Sequence, residues 1–171
     1  DDVEARQMVK AAYEMEGPVY MRFGRAATSV FHSEDFHFEI GKGEVIQEGT
    51  DVAIIATGIM VPEAIEAGKA LAERGVSARV INMATIKPLD EDLVLKAARE
   101  CGKIVTVEEH SVIGGLGEGV CALVSEHCPV PVKRIGVNDE FGHSGPAAAL
   151  LEQFGLCTEN IISVSMSLLG E

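Results

Sequence analysis

Cations are scarce in this chain. Its 171 residues carry 14 Lys and Arg against 27 Asp and Glu, a net charge of −13. Nucleic acid and anionic membranes are polyanions, so this balance argues against either as a partner. Cysteine is also sparse. Cys101, Cys121, Cys128 and Cys157 show no Cys-x-x-Cys spacing and read as small apolar residues in a reducing compartment. The histidines at 32, 37, 110, 127 and 143 have no metal-site spacing. No apolar run reaches membrane-spanning length, and no charged-then-apolar signal opens the chain. The expectation is a cytoplasmic protein. Two phosphate-binding fingerprints are missing too. Glycines at 115 and 117 begin a G-x-G-x-x-G, but residue 120 is Val, and no Gly-Lys-Ser/Thr follows any glycine loop.

What is present has a clear rhythm. The segment from Gly43 to Gln47 reads as a short strand, and Val52 to Ala56 as an apolar one. Pro62 begins a helix that stops at Gly75. Ala78 to Asn82 is the next strand, and Asp90 caps a helix that Gly102 ends. Lys103 to Val107 is a strand, followed by a glycine-led helix from Gly117 to Cys128. Pro131 to Val137 is the last strand. Ser144 with Pro146 starts a helix ending at Gly155, and Thr158 caps a final one. Alternating, near-continuous apolar strands predict a mostly parallel sheet covered on both faces. At this size no disulfide or metal staple is needed.

The first 42 residues break that rhythm. Asp1 to Glu14 reads as a helix with Ala5, Met8, Val9 and Ala12 on one face, and Val19 to Phe23 as a short strand. Gly24 to Gly43 is long and aperiodic. A lone helix and strand cannot bury their own apolar faces. Residues 1–25 therefore read as the tail of a domain whose body lies upstream, residues 26–42 as a linker, and residues 43–171 as a second domain.

Three candidate sites emerge. Glu108, Glu109 and His110 sit where a strand meets the glycine cluster at 114, 115, 117 and 119. Open α/β sheets place ligands and interfaces at such strand ends. The trio is compatible with an acid–base cluster, with a solvated loop, or with an interface where carboxylates cap the helix beginning near Gly117. The glycines are compatible with an anion held on free backbone amides or with close helix–sheet packing. Arg22 and Arg25 follow the short strand, and guanidinium groups in such a place can hold a phosphate. No Ser or Cys nucleophile has a readable base partner.

Several stretches together resemble the C-terminal half of a transketolase, in particular the separately encoded C-terminal subunit. They are Val3-Glu4-Ala5-Arg6, the run from Gly17 to Arg25, the run from Val80 to Asp90, Val107-Glu108-Glu109-His110 with its glycines, and the run from Gly136 to Gly145, continued by Phe154-Gly155-Leu156 and Thr158-Glu159-Asn160-Ile161. The resemblance extends to 1-deoxyxylulose-5-phosphate synthase and to β subunits of 2-oxoacid dehydrogenases. It implies a three-layer α/β/α domain with a five-stranded mixed sheet, order 1-3-2-4-5, strand 1 antiparallel. It implies that the parent moves a two-carbon ketol unit between sugar phosphates, using thiamine diphosphate and Mg²⁺.

The resemblance also implies a division of labour. In the family a Gly-Asp-Gly…Asn motif of an N-terminal domain holds the diphosphate and Mg²⁺, and this chain has no such motif. The activating glutamate of the middle domain lies upstream of residue 1. The expectation is a fragment that is inactive alone and binds no cofactor itself. It works with an N-terminal section or subunit and dimerises through its C-terminal domain. By position, Arg25 matches the arginine that binds the sugar phosphate, and Glu109 and His110 fall near the dimer contact. His143 stands where the family often has an acidic or small residue. The alternative outside enzymology is an assembly or regulatory module that holds a small anion at the crevice between strand ends.

Overall fold

The computed structural model describes residues 1–170 and contains six helices and five strands among them. Helix α1 spans Asp2–Glu14. Then come β1 (Glu44–Gln47), β2 (Val52–Ala56), α2 (Met60–Glu73), β3 (Ala78–Asn82), α3 (Glu91–Cys101), β4 (Ile104–Ser111), α4 (Leu116–His127), β5 (Val132–Val137), α5 (Ala147–Gln153) and α6 (Thr158–Leu169). The sheet order is β1-β3-β2-β4-β5, with β1 antiparallel to β3 and the other pairs parallel. This is the predicted architecture.

Strand chemistry sets the two cores. All five residues of β2 are fully buried because helices cover both faces. Val52, Ile54 and Ala56 point to one face, with Val80, Val105 and Val107 and the apolar sides of α2 and α6. Ala53 and Ile55 point to the other, with Ile81, Ile104 and the inward residues of α3 and α4. Local signals hold at α3. The Asp90 carboxylate accepts from Leu93 N at 3.1 Å, and Gly102 closes the helix at φ 68, a left-handed value that favours glycine.

Other boundaries move for identifiable reasons. Helix α2 begins at Met60, ahead of Pro62, which fits the first turn because its missing N–H costs no bond there. Thr158 is the first residue of α6 rather than its cap. Its backbone N and hydroxyl both turn to the Glu63 carboxylate on α2 instead. Strand β4 runs four residues past Val107, with a register irregularity against β5 between Val107 and Ser111.

The expected strand at Val19 to Phe23 does not form. Residues 15–43 contain neither helix nor strand, and 19, 20, 22 and 23 are exposed. A strand needs a partner for its N–H and C=O groups, and this one has none among the described residues.

The segment before β1 is nevertheless pinned. Val3 and Glu4 of α1 are buried, and Glu4 Oε1 accepts from Asn82 Nδ2 at 2.8 Å, which seats the first turn of α1 on β3. Asp1 Oδ2 accepts from the backbone N of Phe31 and of His32, each at 2.8 Å. The His32 ring lies between Asp1 Oδ1 at 3.0 Å and Glu44 Oε2 at 2.6 Å, flanked by Phe31 and Phe36.

Candidate functional site

The order β1-β3-β2-β4-β5 makes the chain leave β2 in one direction and return on its other side. The topological switch point therefore lies between the carboxyl ends of β2 and β4, where such sheets bind ligands. Thr57 joins the two ends by donating its N–H to Val107 O at 3.1 Å.

Glu108 shares a face with Thr106, toward α4. Only 2% exposed, its carboxylate accepts from Leu116 N and Gly117 N, each at 2.8 Å. These are among the amides that open α4, so the carboxylate satisfies orphan donors and meets the positive end of the helix. The glycines make room for it. A Cβ on Gly115 would lie 2.0 Å from Glu108 Oε2, and one on Gly117 would lie 2.7 Å from Thr106 Oγ1. Of the readings open at this position, the structure selects capping and close packing. A small anion finds these two amides already taken.

Glu109 points elsewhere. It is half exposed, and its Oε2 lies 3.2 Å from Arg22 Nη2. His110 is exposed, and its Nδ1 donates to Ser111 O at 2.8 Å. The closest approach of its Nδ1 to the Glu108 carboxylate is 4.0 Å. Three adjacent side chains thus have three different partners, and no acid–base pair forms within the trio.

The two arginines also part company. Arg22 is taken up by Glu109. Arg25 is exposed and forms no ion pair among the described residues. Its neighbour Gly24 rests on the start of α2, where a Cβ would come 3.0 Å from Ile59 Cγ2. Residues 22–24 therefore touch the chain just after β2 and the side chain of Glu109 on β4. Arg25 follows directly on these contacts in the chain, and its own side chain is exposed.

Some contacts carried no readable signal. His32 shows no motif, because Asp1 and Glu44 reach it only through the fold. Buried Arg79 on β3 pairs with Glu100 at 2.6 Å and Glu48 at 3.2 Å, and those carboxylates hold it protonated against burial. His143 stacks on Phe154 with ring centroids 5.8 Å apart. Among the described residues no three His, Cys, Asp or Glu side chains form a group able to hold a metal ion. No described helix is long and apolar enough to cross a membrane.

A mixed five-stranded sheet with a switch point and an internally capped glycine-led helix defines a three-layer α/β domain. The domain description "Transketolase, C-terminal domain" matches residues 41–161, and the chain belongs to that family. It is 43% identical over 162 residues to the 6-deoxy-6-sulfo-D-fructose transketolase subunit of Clostridium sp. (strain MSTE9), covering 95% of this chain and 50% of that protein. It is 39% identical over 173 residues to 1-deoxy-D-xylulose-5-phosphate synthase of Heliobacterium modesticaldum, covering 98% of this chain and 26% of that one. Among solved structures it resembles a split-gene transketolase described as an inactive β4 tetramer. The TM-score is 0.96 and the identity 48%, covering 99% of this chain and 56% of that one. The chain thus spans half or less of the curated relatives described here.

Transketolases as a family use thiamine diphosphate. The residues of this chain do not fit its diphosphate at the one glycine-led helix terminus that invites an anion. There the Glu108 carboxylate fills the cradle and would repel a second anion.

Proposed function

We propose that this chain is the C-terminal section of a transketolase completed by an N-terminal section or subunit. Together they transfer a two-carbon ketol unit between sugar phosphates. Thiamine diphosphate and Mg²⁺ are held by the other section, and this chain supplies assembly contacts and part of the substrate channel. Residues 1–25 are the end of the pyrimidine-binding domain, residues 26–42 the linker, and residues 43–171 the C-terminal domain. Homodimerisation runs through that last domain, with Glu109 and His110 near the contact. The complete enzyme is cytoplasmic.

One observation carries the substrate assignment. In a chain poor in cations, Arg25 is exposed and has no ion pair among the described residues, while Arg22, three residues earlier, is already neutralised by Glu109 at the end of β4. A planar fork of donors suits two phosphate oxygens at once, and a lysine would not reproduce that contact.

The test is Arg25→Ala in the enzyme reconstituted with its N-terminal section. A charged hydrogen bond is worth roughly 1.5–3 kcal/mol, so kcat/KM for phosphorylated acceptors should fall about ten- to a hundredfold, mostly through KM. Unphosphorylated acceptors should change little. Equal losses for both would reject the assignment.

The similarity to 1-deoxy-D-xylulose-5-phosphate synthase over nearly the whole chain favours one second reading, the C-terminal part of such a synthase. Donor choice separates them. A ketose phosphate should be consumed by the reconstituted enzyme, and a 2-oxo acid should not.

A further inference from the structure

We propose that Glu109 is a positioning residue for Arg25, acting through Arg22. The inference rests on the reading of Arg25 as the phosphate-binding residue, and it assigns Glu109 a role inside one chain rather than only between chains.

Within this chain, residues 16–30 make no backbone hydrogen bond to other described residues, and the one polar contact that ties them to the C-terminal domain is Arg22 Nη2 to Glu109 Oε2 at 3.2 Å. The next anchors downstream are the backbone amides of Phe31 and His32 on Asp1. Arg25 lies three residues from the tether, within about 11 Å of it along the chain. Gly24, between them, packs against Ile59. With the upstream section covering the segment, the tether and this contact are what relate Arg25 to the strand ends of the C-terminal domain.

The base of the tether is rigid. Glu109 follows Glu108, whose carboxylate is locked on two amides of α4, and precedes the point where β4 rejoins β5 at Ser111 and Val137. Glu109 also keeps Arg22 occupied. The phosphate then meets one free guanidinium in a set place rather than two competing ones.

The test uses the reconstituted enzyme and steady-state kinetics with phosphorylated and unphosphorylated acceptors, with Arg25→Ala measured alongside. The tether is half exposed, and such pairs are worth little, so Glu109→Gln should raise KM for the phosphorylated acceptor roughly two- to fivefold. The kcat and the KM for the unphosphorylated acceptor should hold. Arg22→Ala should match it, and the double variant should be no worse than either single one, the signature of a shared interaction. Arg22→Lys should retain most of the wild-type KM, and the swap Arg22→Glu with Glu109→Arg should recover it.

If Arg25→Ala shows its phosphate-selective loss while Glu109→Gln and Arg22→Ala are silent or strictly additive, the positioning role is wrong. It is equally wrong if Glu109→Gln lowers KM, which would mean that a freed Arg22 joins the phosphate. If Arg25→Ala shows no phosphate selectivity, the underlying assignment fails and the inference falls with it.

Discussion

Glu108 is a carboxylate used as structure. It is buried at the end of a strand and exchanges water for two backbone amides at the positive end of α4. Glu108→Ala should leave both donors buried and unpaired, costing about 2–4 kcal/mol in chemical denaturation. Gly115→Ala should reproduce much of that loss from the other side, because its Cβ would occupy the position of Oε2. If both variants unfold like the wild type, the cap contributes nothing. The sequence showed a carboxylate near a glycine cluster but left capping, catalysis and anion binding open. Only the direction of three adjacent side chains separates them, and β4 continuing past Val107 with a register irregularity decides it. A second buried titratable group gives a pH signature. Burial pushes the Cys101 thiol up from its ordinary value of 9.0, the charge of Arg79 opposing, while Sγ faces Gly49 O at 3.5 Å. The unfolded chain therefore loses this proton first. The stabilising effect is complete below pH 9 and is lost as pH rises through the folded value. Urea midpoints should fall between pH 8 and pH 10, and Cys101→Ala should flatten that fall even where it lowers stability at both. An unchanged slope would show that the thiol does not titrate differently on unfolding.

The elements that were legible were those whose partners lie within the chain. Strands β2 and β3 and the ends of α3 fall where apolar runs and caps put them, since a fully buried strand must be apolar on both faces and Asp90 and Gly102 act locally. The expected strand at Val19 to Phe23 failed for the complementary reason. Its apolar residues are real, but no neighbouring strand among the described residues completes its hydrogen bonds. The linker shows a different limit. Its lack of periodicity reads as a linker between two domains, and the contacts of Asp1, His32 and Glu44 that clamp it are encoded by no sequence spacing. His32→Ala should therefore release the segment without unfolding the sheet. Trypsin should cut after Arg25 and Lys42 several times faster than in the wild type, while α2 and α4 resist as before. Equal cleavage rates would mean that the packing of Val3 and Phe38, both buried, holds the linker without the clamp.

Across the whole molecule, exposure of large apolar side chains is uneven. Tyr13, Met15, Val19, Tyr20, Phe23 and Val30 are all exposed within one stretch, and Phe141 is 95% exposed in a second stretch, 138–149, where every residue is exposed. Scattered exposed apolar residues are ordinary, but such a concentration marks a surface meant to be covered. The helices behave otherwise: the apolar sides of α2, α3, α4 and α6 are spent on the two cores. The missing cover is therefore expected over the α1 end and the 138–149 loop, not over the helical layers. Hydrogen exchange can locate it. Alone, residues 16–30 should exchange fast, since they make no backbone hydrogen bond to other described residues. Adding the N-terminal section should slow exchange at 16–30 and 138–146 by an order of magnitude or more, and leave the already protected cores of α2 and α6 as they were. Slowing centred on the solvent sides of α3 and α4 instead would place the partner on the wrong face. It would also remove the argument that residues 1–25 complete a domain begun upstream.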